Sequence, residues 1–216
     1  KMTQYIMYFS PVAVFAAMAA IIAKQGPSIL STYSILIGEF YTALLLLIVL
    51  LIVIGYLFIG KRIGTLLKHI KEPILLAFST SSSEAAFPRT LLELERFGCP
   101  NKITSFVLPL GYSFNLDGSM MYMTFASIFI AQSYGIPLDL PTQFSMLLVL
   151  MLTSKGIAGV PRASLVVIAG TLASFNIPEA GLALLLGIDP LLDMGRSATN
   201  VVGNSVATAV ISKLEA

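Results

Sequence analysis

The sequence predicts an all-α membrane protein in which transmembrane helices are combined with two re-entrant helical hairpins in an inverted-topology repeat. Its composition is 56% hydrophobic and only 11% charged, whereas soluble domains carry about 25% charged residues. Ala43 to Ile59 contains no charged residue, which is typical of a segment that crosses a bilayer. Two further apolar stretches are each interrupted by a short polar segment, and non-helical backbone at membrane depth must be buried in protein or line a cavity.

The first two helices are predicted from apolar length alone. We expect one transmembrane helix within residues 1–33 and a second over 34–60. A basic connection follows from Lys61 to Lys71. Because lysine and arginine are enriched in cytoplasmic loops, this connection is predicted to be cytoplasmic.

The first hairpin is predicted from two basic stretches on the same side. The stretch from Arg89 to Lys102 is also cytoplasmic by the lysine and arginine rule. Between the two stretches, Glu72 to Pro88 is too short to cross the bilayer and return as two full spans. We therefore expect a re-entrant hairpin over 70–102, with the polar residues Ser79 to Glu84 at its tip.

The second half repeats this pattern with the opposite entry side. A broken helix over 103–133 leads outward to a loop without lysine or arginine, and a second hairpin over 142–176 enters from outside, with Ser154 to Pro161 at its tip. The last helix, over 181–213, returns to the positive side. A hairpin followed by an interrupted helix, present twice with opposite entry, is typical of an inverted repeat that binds solute near the midplane.

The last helix carries a polar stripe formed by five residues: Asp193, Arg196, Ser197, Asn200 and Asn204. Their spacing places them within roughly 100° of one helix face. Charged groups in hydrocarbon cost about 2.5 to 3.5 kcal/mol each on insertion scales, so the stripe is predicted to face a ligand site. The alternative is a polar packing seam or a salt bridge. Arg196 can hold a carboxylate and Asp193 can accept an ammonium, which suits an acidic amino acid.

Three further segments have the chemistry of a binding site. Thr80 to Glu84 offers hydroxyls and backbone N–H groups at a helix start, where a carboxylate is favoured; a serine N-cap on a surface turn is the alternative. Ser154 to Pro161 offers the same groups, with a plain loop as its alternative. Asn115 to Ser119 supplies oxygen ligands for a hard cation, although the same residues also suit a soluble turn.

Several functional classes are excluded or disfavoured. A net charge of +2 is too small to indicate a nucleic-acid partner. A single cysteine, Cys99, and a single histidine, His69, give no disulfide and no metal-ligand spacing, so we expect no cofactor and no metal beyond Na⁺. An intramembrane enzyme would need Ser82 as nucleophile, and Lys155 would be its only plausible base because no histidine is available at membrane depth. We therefore predict that the protein is not an enzyme. Five polar groups on one helix disfavour a purely structural scaffold.

Four segments together resemble the dicarboxylate/amino-acid:cation symporters, which include the glutamate and aspartate transporters. They are Thr80–Ser83, Gly111–Ser119, Ser154–Pro161 and Asp193–Asn204. The pattern is most similar to bacterial proton-coupled glutamate/aspartate symporters. This implies an elevator-type, multi-pass transporter of the bacterial inner membrane, surrounded by lipid and assembled as a homotrimer. The chain begins at Lys1 and is similar to the C-terminal part, so we expect about four N-terminal helices to be missing. By the same resemblance, residues 1–33 would hold a scaffold-type transmembrane helix and residues 34–216 would form the transport core.

The resemblance also implies site residues. Arg196 would bind the side-chain carboxylate of glutamate or aspartate, Asp193 the amino group, and Asn200 the main-chain carboxylate together with hairpin backbone near Ser82 and Val160. The implied substrate site comprises Ser81, Ser82, Ser83, Ser119, Val160, Ser164, Asp193, Arg196, Ser197 and Asn200. The implied cation site comprises Gly111, Ser113, Asn115, Asp117, Ser154, Asn200 and Asn204.

Two departures from the family pattern bear on the coupling ion. Sodium-coupled relatives have an aspartate where this chain has Asn204, whereas proton-coupled bacterial relatives carry the same asparagine and the same Ser-Lys-Gly run. The resemblance therefore favours H⁺, with Na⁺ as the alternative. The glutamate that carries the proton in animal transporters matches Met123 here, so Glu84 is the candidate proton carrier.

Two more departures bear on the substrate. Some relatives have an arginine at the positions of Thr80 or Met194, and Arg162 is a candidate to replace it; the alternative is that Arg162 only faces the outer interface. C4-dicarboxylate carriers of the family lack an aspartate at the Asp193 position, because succinate has no ammonium. The resemblance thus implies glutamate or aspartate, and a C4-dicarboxylate such as succinate, malate or fumarate is the alternative substrate.

Overall fold

A computed structural model describes residues 12, 15–16, 19–20, 22–23, 26–155 and 162–215. Its regular elements in these ranges are all helices, which confirms the all-α prediction. They are α1 (Ile29–Ile59), α2 (Arg62–Thr80), α3 (Ser83–Phe97), α4 (Asn101–Phe114), α5 (Asp117–Ser133), α6 (Leu140–Thr153), α7 (Ala163–Ser174), a 3₁₀ turn (Glu179–Gly181), α8 (Leu182–Leu185) and α9 (Asp189–Leu214). Most of the scaffold-type helix predicted within 1–33, and Val160 with the rest of 156–161, lie outside the described residues.

Helix α1 begins at Ile29, five residues before the predicted start. Among the described helices, only α1 is both long and apolar enough to cross a bilayer. Large apolar side chains such as Leu46 and Leu57 are exposed along it. A surface of this kind suits contact with lipid.

The basic connection predicted for 61–71 is mostly helical, because α2 already begins at Arg62. Ile63, Leu66 and Ile70 are buried at helical spacing, so this segment has an apolar face that packs as a helix despite its charge. A two-residue turn then leads into α3. In this turn Ser81 adopts the left-handed conformation, and the Ser82 side chain caps α3 by accepting a hydrogen bond from Ala85 N at 3.2 Å.

Residues 101–133 form two helices separated by Asn115 and Leu116. Both residues have non-helical backbone angles, so α4 ends at Phe114 and α5 starts afresh at Asp117. Such a break releases carbonyl groups at the end of one helix and N–H groups at the start of the next. Polar backbone is thereby available in the middle of an apolar segment.

Helix α9 starts at Asp189 and not at the predicted residue 181. Pro190 explains the difference, because proline is accepted in the first turn of a helix but not in its interior. The helix packs against α1, α2, α3, α4 and α5. Every residue from Gly195 to Val206 is buried, so this part of α9 is covered on all sides by other helices.

Two apolar clusters flank α9. One joins α1, α5, α6 and α7 and includes Phe40, Ile130 and Leu172. The other joins the C-terminal part of α1 with α2, α3 and α4, and includes Leu66 and Leu108. Both clusters hold the surrounding helices in place around the polar residues of α9.

We expect Gly118→Ala to destabilise the protein, because Gly118 allows α5 to approach α9. A methyl group at this position would collide with the backbone carbonyl of Arg196, which cannot move aside as a side chain can. Overpacking of this kind costs about 1 to 3 kcal/mol. Thermal unfolding of the full-length protein in detergent measures the loss. Gly170→Ala is the matched control, since its methyl would meet no described atom within 4 Å; an equal effect of both would contradict the packing argument.

We expect the stabilising effect of Asp139 to depend on pH. Asp139 caps α6 by accepting a hydrogen bond from Thr142 N at 3.0 Å, and hydrogen bonds from the Thr142 side chain and backbone lower the pKa of the Asp139 carboxyl. The contribution is therefore present above the unfolded-state pKa and lost as pH falls through the lower folded-state pKa.

The melting temperatures of the parent and Asp139→Ala should accordingly differ more near about pH 7 than near about pH 3. Asp139→Asn serves as control, because asparagine caps helices well but carries no charge. A difference between the parent and Asp139→Ala that is the same at both pH values would contradict this prediction. So would a difference between Asp139→Asn and Asp139→Ala that varies with pH as strongly as the parent's does, because asparagine carries no titratable charge.

Candidate substrate and cation site

An ion pair at the start of the buried part of α9 forms the centre of the site. Arg196 Nε donates to Asp193 Oδ1 one turn earlier on the same helix. Each residue is only 1% exposed. A buried guanidinium needs both a counter-charge and further acceptors, and Ser119 supplies one, since Arg196 Nη1 donates to Ser119 Oγ at 3.0 Å.

Asn200 joins α9 to the first turn of α5. Its Oδ1 accepts hydrogen bonds from Gly118 N at 2.9 Å and Ser119 N at 3.3 Å, and its Nδ2 donates to Ser119 Oγ at 2.9 Å. The first N–H groups of a helix have no partner within that helix. Asn200 therefore acts as the N-cap of α5 from a neighbouring helix, while Leu116, which precedes α5, contributes no side-chain cap.

The start of α7 reaches the same carboxylate. Arg162 N donates to Asp193 Oδ2 at 2.8 Å, so both oxygens of Asp193 accept hydrogen bonds from protein donors. Arg162 has φ 65°, a left-handed conformation that is unfavourable for a residue with a Cβ atom. The contacts to α9 hold it in that conformation.

Two serine hydroxyls around this centre are buried without a hydrogen-bond partner among the described residues. They are Ser164 Oγ on α7 and Ser197 Oγ on α9. Buried hydroxyls are normally paired. These two hydroxyls, on the elements that carry Arg162 and the Asp193–Arg196 pair, are therefore available to hydrogen-bond a polar ligand.

The turn between α2 and α3 lies against α9 as well. Here α2 and α3 approach α9 through a small apolar cluster formed by Ala77, Ala86 and Val201. Ser82 and Ser83 are buried at this turn, and Ser81 is partly buried. The Ser83 hydroxyl has no hydrogen-bond partner within the described ranges.

Glu84, the candidate proton carrier, lies in the first turn of α3 and is exposed. The structure thus places it next to the serine turn but at the surface of the described part of the chain.

Four of the implied cation ligands, Gly111, Asn115, Asp117 and Asn204, meet where the α4–α5 break faces α9. Asn115 Nδ2 lies 3.4 Å from Asn204 Oδ1. Gly111 lies directly against the Asn204 amide, and Gly203 lies directly against the Asp117 carboxylate. Small residues at both positions allow these polar groups to fit between the helices.

The two polar groups of this region differ in what they offer a cation. Asp117 Oδ2 is buried and has no hydrogen-bond partner among the described residues, so a charged oxygen is available for a hard cation. Asn204 carries no charge, and its Oδ1 already faces Asn115. The residues present therefore fit a cation beside Asp117 and fit one beside Asn204 poorly.

The remaining implied cation ligands use their hydroxyls locally. Ser113 Oγ donates to Pro109 O at 3.5 Å, and Ser154 Oγ donates to Met151 O at 3.1 Å. Next to Ser154, Lys155 Nζ donates to Phe114 O at 3.0 Å. An ammonium group thus lies at the carbonyl end of α4, where the helix dipole favours positive charge.

One buried acid was missed by the sequence prediction. Asp189 is fully buried and lies one helical turn before Asp193, with Oδ1 accepting a hydrogen bond from the Tyr122 hydroxyl. Its Oδ2 lies 3.5 Å from Arg162 Nε. The sequence did contain a signal, since Asp189 extends the polar stripe by one turn. Asp189 was missed because it precedes Asp193–Asn204, the segment that resembles the family.

Comparisons with known proteins identify the family. Residues 1–214 match the sodium:dicarboxylate symporter family. The proton/sodium-glutamate symport protein of Bacillus caldotenax is 48% identical over 99% of this chain and 51% of its own length. The proton/glutamate-aspartate symporter of Escherichia coli is 46% identical over 100% and 49%, and the C4-dicarboxylate transport protein of Laribacter hongkongensis is 47% identical over 98% and 48%.

The chain spans about half the length of the curated relatives it matches. The family and these relatives are membrane transporters and not enzymes, which confirms the prediction that the protein is not an enzyme. Their names include both glutamate and C4-dicarboxylate carriers, so they leave the substrate and the coupling ion open. The match over residues 1–214 shows that this chain belongs to the sodium:dicarboxylate symporter family.

Proposed function

We propose that this chain is the transport core of a symporter that imports glutamate or aspartate together with H⁺. The observation that carries the proposal is the buried arginine Arg196, which is oriented by Asp193 and Ser119 beside unpaired serine hydroxyls. A guanidinium fixed in this way is ready to bind a carboxylate, because little rotamer entropy remains to be lost on binding.

Asp193 is the group that distinguishes the two substrate classes. A carboxylate has about four acceptor sites, and hydrogen bonds from Arg196 and Arg162 use two of them. A substrate ammonium can therefore also be accepted, most directly at Oδ2, where it would replace the backbone N–H of Arg162. A C4-dicarboxylate has no ammonium, so it gains nothing from Asp193; it remains the alternative substrate because the Laribacter hongkongensis relative is named as a C4-dicarboxylate transporter.

The proposed architecture places two re-entrant hairpins around the site. The α2–α3 pair, which overlaps the predicted 70–102, would form the first hairpin. The α6–α7 pair, which overlaps the predicted 142–176, would form the second. Helix α9 packs against the first pair and against α4 and α5 on both sides of the break, and the start of α7 reaches α9 through Arg162. An inverted repeat predicts such a meeting of hairpins and interrupted helices. Elevator-type movement, a homotrimer and a multi-pass location in a bacterial inner membrane belong to the same proposal.

The choice of H⁺ over Na⁺ is supported by the neutral side chain at Asn204. A sodium ion prefers charged or carbonyl oxygens, and Asn204 offers one amide oxygen that already faces Asn115 at 3.4 Å. Asp117 still fits one cation. Coupling by Na⁺ alone therefore stays the alternative, with Asp117 as its principal ligand.

We expect Asp193→Ala to weaken aspartate binding by roughly 10- to 100-fold, because a charge-assisted hydrogen bond contributes about 1.5 to 3 kcal/mol. Uptake of labelled aspartate and succinate by the full-length protein in proteoliposomes measures the effect. Asp193→Asn keeps the shape and tests charge alone, and Asp139→Ala is a remote control. Aspartate uptake that is indifferent to Asp193, or parent uptake of succinate in preference to aspartate, would contradict the assignment.

We expect aspartate to drive protons into vesicles that contain the full-length protein, because H⁺ is the proposed coupling ion. A pH-sensitive dye trapped in the lumen should report acidification when aspartate is added, both with and without Na⁺. Succinate and buffer alone are the matched additions. Uptake that requires Na⁺ and leaves the lumenal pH unchanged would support the sodium alternative and overturn proton coupling.

A further inference from the structure

We propose that Asp189 binds the coupling proton, in exchange for the guanidinium of Arg162. This inference rests on the proposed proton-coupled function and names the group that serves it. The position is distinct from the implied substrate and cation residues, and it lies one turn before Asp193 on α9.

The surroundings of Asp189 combine full burial with incomplete pairing. The carboxylate is 0% exposed. Its Oδ1 accepts a hydrogen bond from Tyr122 on α5, whereas Oδ2 has no hydrogen bond from any described residue. Arg162 Nε, at 3.5 Å from Oδ2, supplies charge but lies beyond hydrogen-bond geometry. Oδ2 is therefore the atom on which a proton is needed whenever Arg162 is absent.

Opposing effects act on the charge of Asp189. Its position in the first turn of α9 and the Tyr122 hydroxyl favour the ionised form. Burial and the neighbouring carboxylate of Asp193 disfavour it. Arg162 and Arg196 are the cations near this pair of acids. Because Arg196 is committed to Asp193, Arg162 decides whether the ionised form of Asp189 is compensated.

The two partners differ in their freedom to leave. The Asp189 side chain is completely buried, while the Arg162 side chain is 45% exposed. Arg162 can move its guanidinium into water at small cost, but Asp189 cannot follow. An ionised carboxylate left alone in a buried position is strongly disfavoured, so it takes up a proton instead. One O–H bond forms at Oδ2, with a proton taken from water, when Arg162 leaves. The same bond breaks, and the proton returns to water, when Arg162 returns.

Arg162 also connects this exchange to substrate. Its backbone N–H donates to Asp193 Oδ2 at 2.8 Å, the atom that would accept the substrate ammonium. An ammonium that takes this position competes with Arg162 for Asp193. Displacement of Arg162 would then free Asp193 for substrate and leave Asp189 to bind a proton, so that one acidic amino acid enters with one proton.

Other acids fit this role less well. Glu84 is exposed in the described part of the chain. Asp193 accepts hydrogen bonds at both oxygens, and Asp117 lies at the proposed cation position. Among the described acids, Asp189 alone combines complete burial with an exchangeable counter-charge.

The test is a count of the protons taken up when aspartate binds to the purified full-length protein. Calorimetric titrations in two buffers of different ionisation enthalpy give this number without any transport measurement. We expect about one proton per aspartate for the parent protein. Asp189→Asn, which mimics the protonated form, should bind aspartate with no proton uptake, and Glu84→Gln, the rival candidate, should keep the parent value.

Arg162→Gln provides an independent arm, because this exposed residue is replaced without opening a cavity. It should lose substrate-linked proton uptake, while Arg162→Lys should keep most of it. Parent-like proton uptake in Asp189→Asn or, if that variant does not fold, in Arg162→Gln would overturn the assignment of Asp189. Loss of uptake in Glu84→Gln alone would also overturn it. Absence of proton uptake by the parent would instead overturn proton coupling itself, and the role of Asp189 with it.

Discussion

The burial of Arg196 is the constraint on which the rest of the site depends. A guanidinium that is 1% exposed cannot rely on water, so the protein must supply a counter-charge and acceptors in a fixed arrangement. Asp193 and Ser119 do this from two helices. Their positions in turn require α5 to lie very close to α9, which Gly118 permits. The fixed guanidinium of Arg196 and the tight packing of α5 against α9 are therefore one structural feature.

The interruption between α4 and α5 has the same double role. It gives up helical hydrogen bonds in the middle of an apolar segment, and Asn200 compensates by capping α5 from α9. At the other end of the break, the Phe114 carbonyl accepts a hydrogen bond from Lys155. Both exposed helix ends are thus paired with groups from other elements. If α4, α5 and α9 moved relative to one another, the backbone groups at the break would lose these partners. We therefore expect these helices to move together.

Much of the site could be predicted from sequence, because charged and polar side chains are energetically unfavourable in an apolar segment and are easily recognised there. Asp193, Arg196 and Asn200 stand out in an apolar run, and helical periodicity alone places them on one face. The sequence placed the start of α9 at residue 181, too early, because residues 181–188 are as apolar as a membrane helix. Only Pro190 marks the start at Asp189. Likewise, charges in 61–71 suggested a loop, although Ile63, Leu66 and Ile70 form the buried face of α2.

What the sequence did not indicate depends on contacts between distant segments. Asn200 capping α5 joins residues 82 positions apart, and the approach of Arg162 to Asp189 joins the start of α7 to the start of α9. No periodicity within one helix reports such pairs. Asp189 was therefore visible as one more polar residue near the stripe, but its burial and its partners follow only from the packing of three elements.

The formal charges around the site bear on the number of coupling ions in the proposed symporter. Three carboxylates, those of Asp117, Asp189 and Asp193, are accompanied by the cations Lys155, Arg162 and Arg196. These charges balance before substrate binds. In the proposed function, glutamate or aspartate would add one net negative charge, and one proton would restore the balance. An aspartate in place of Asn204 would add a further negative charge and call for a further cation, so the neutral side chain at Asn204 is consistent with coupling to fewer ions.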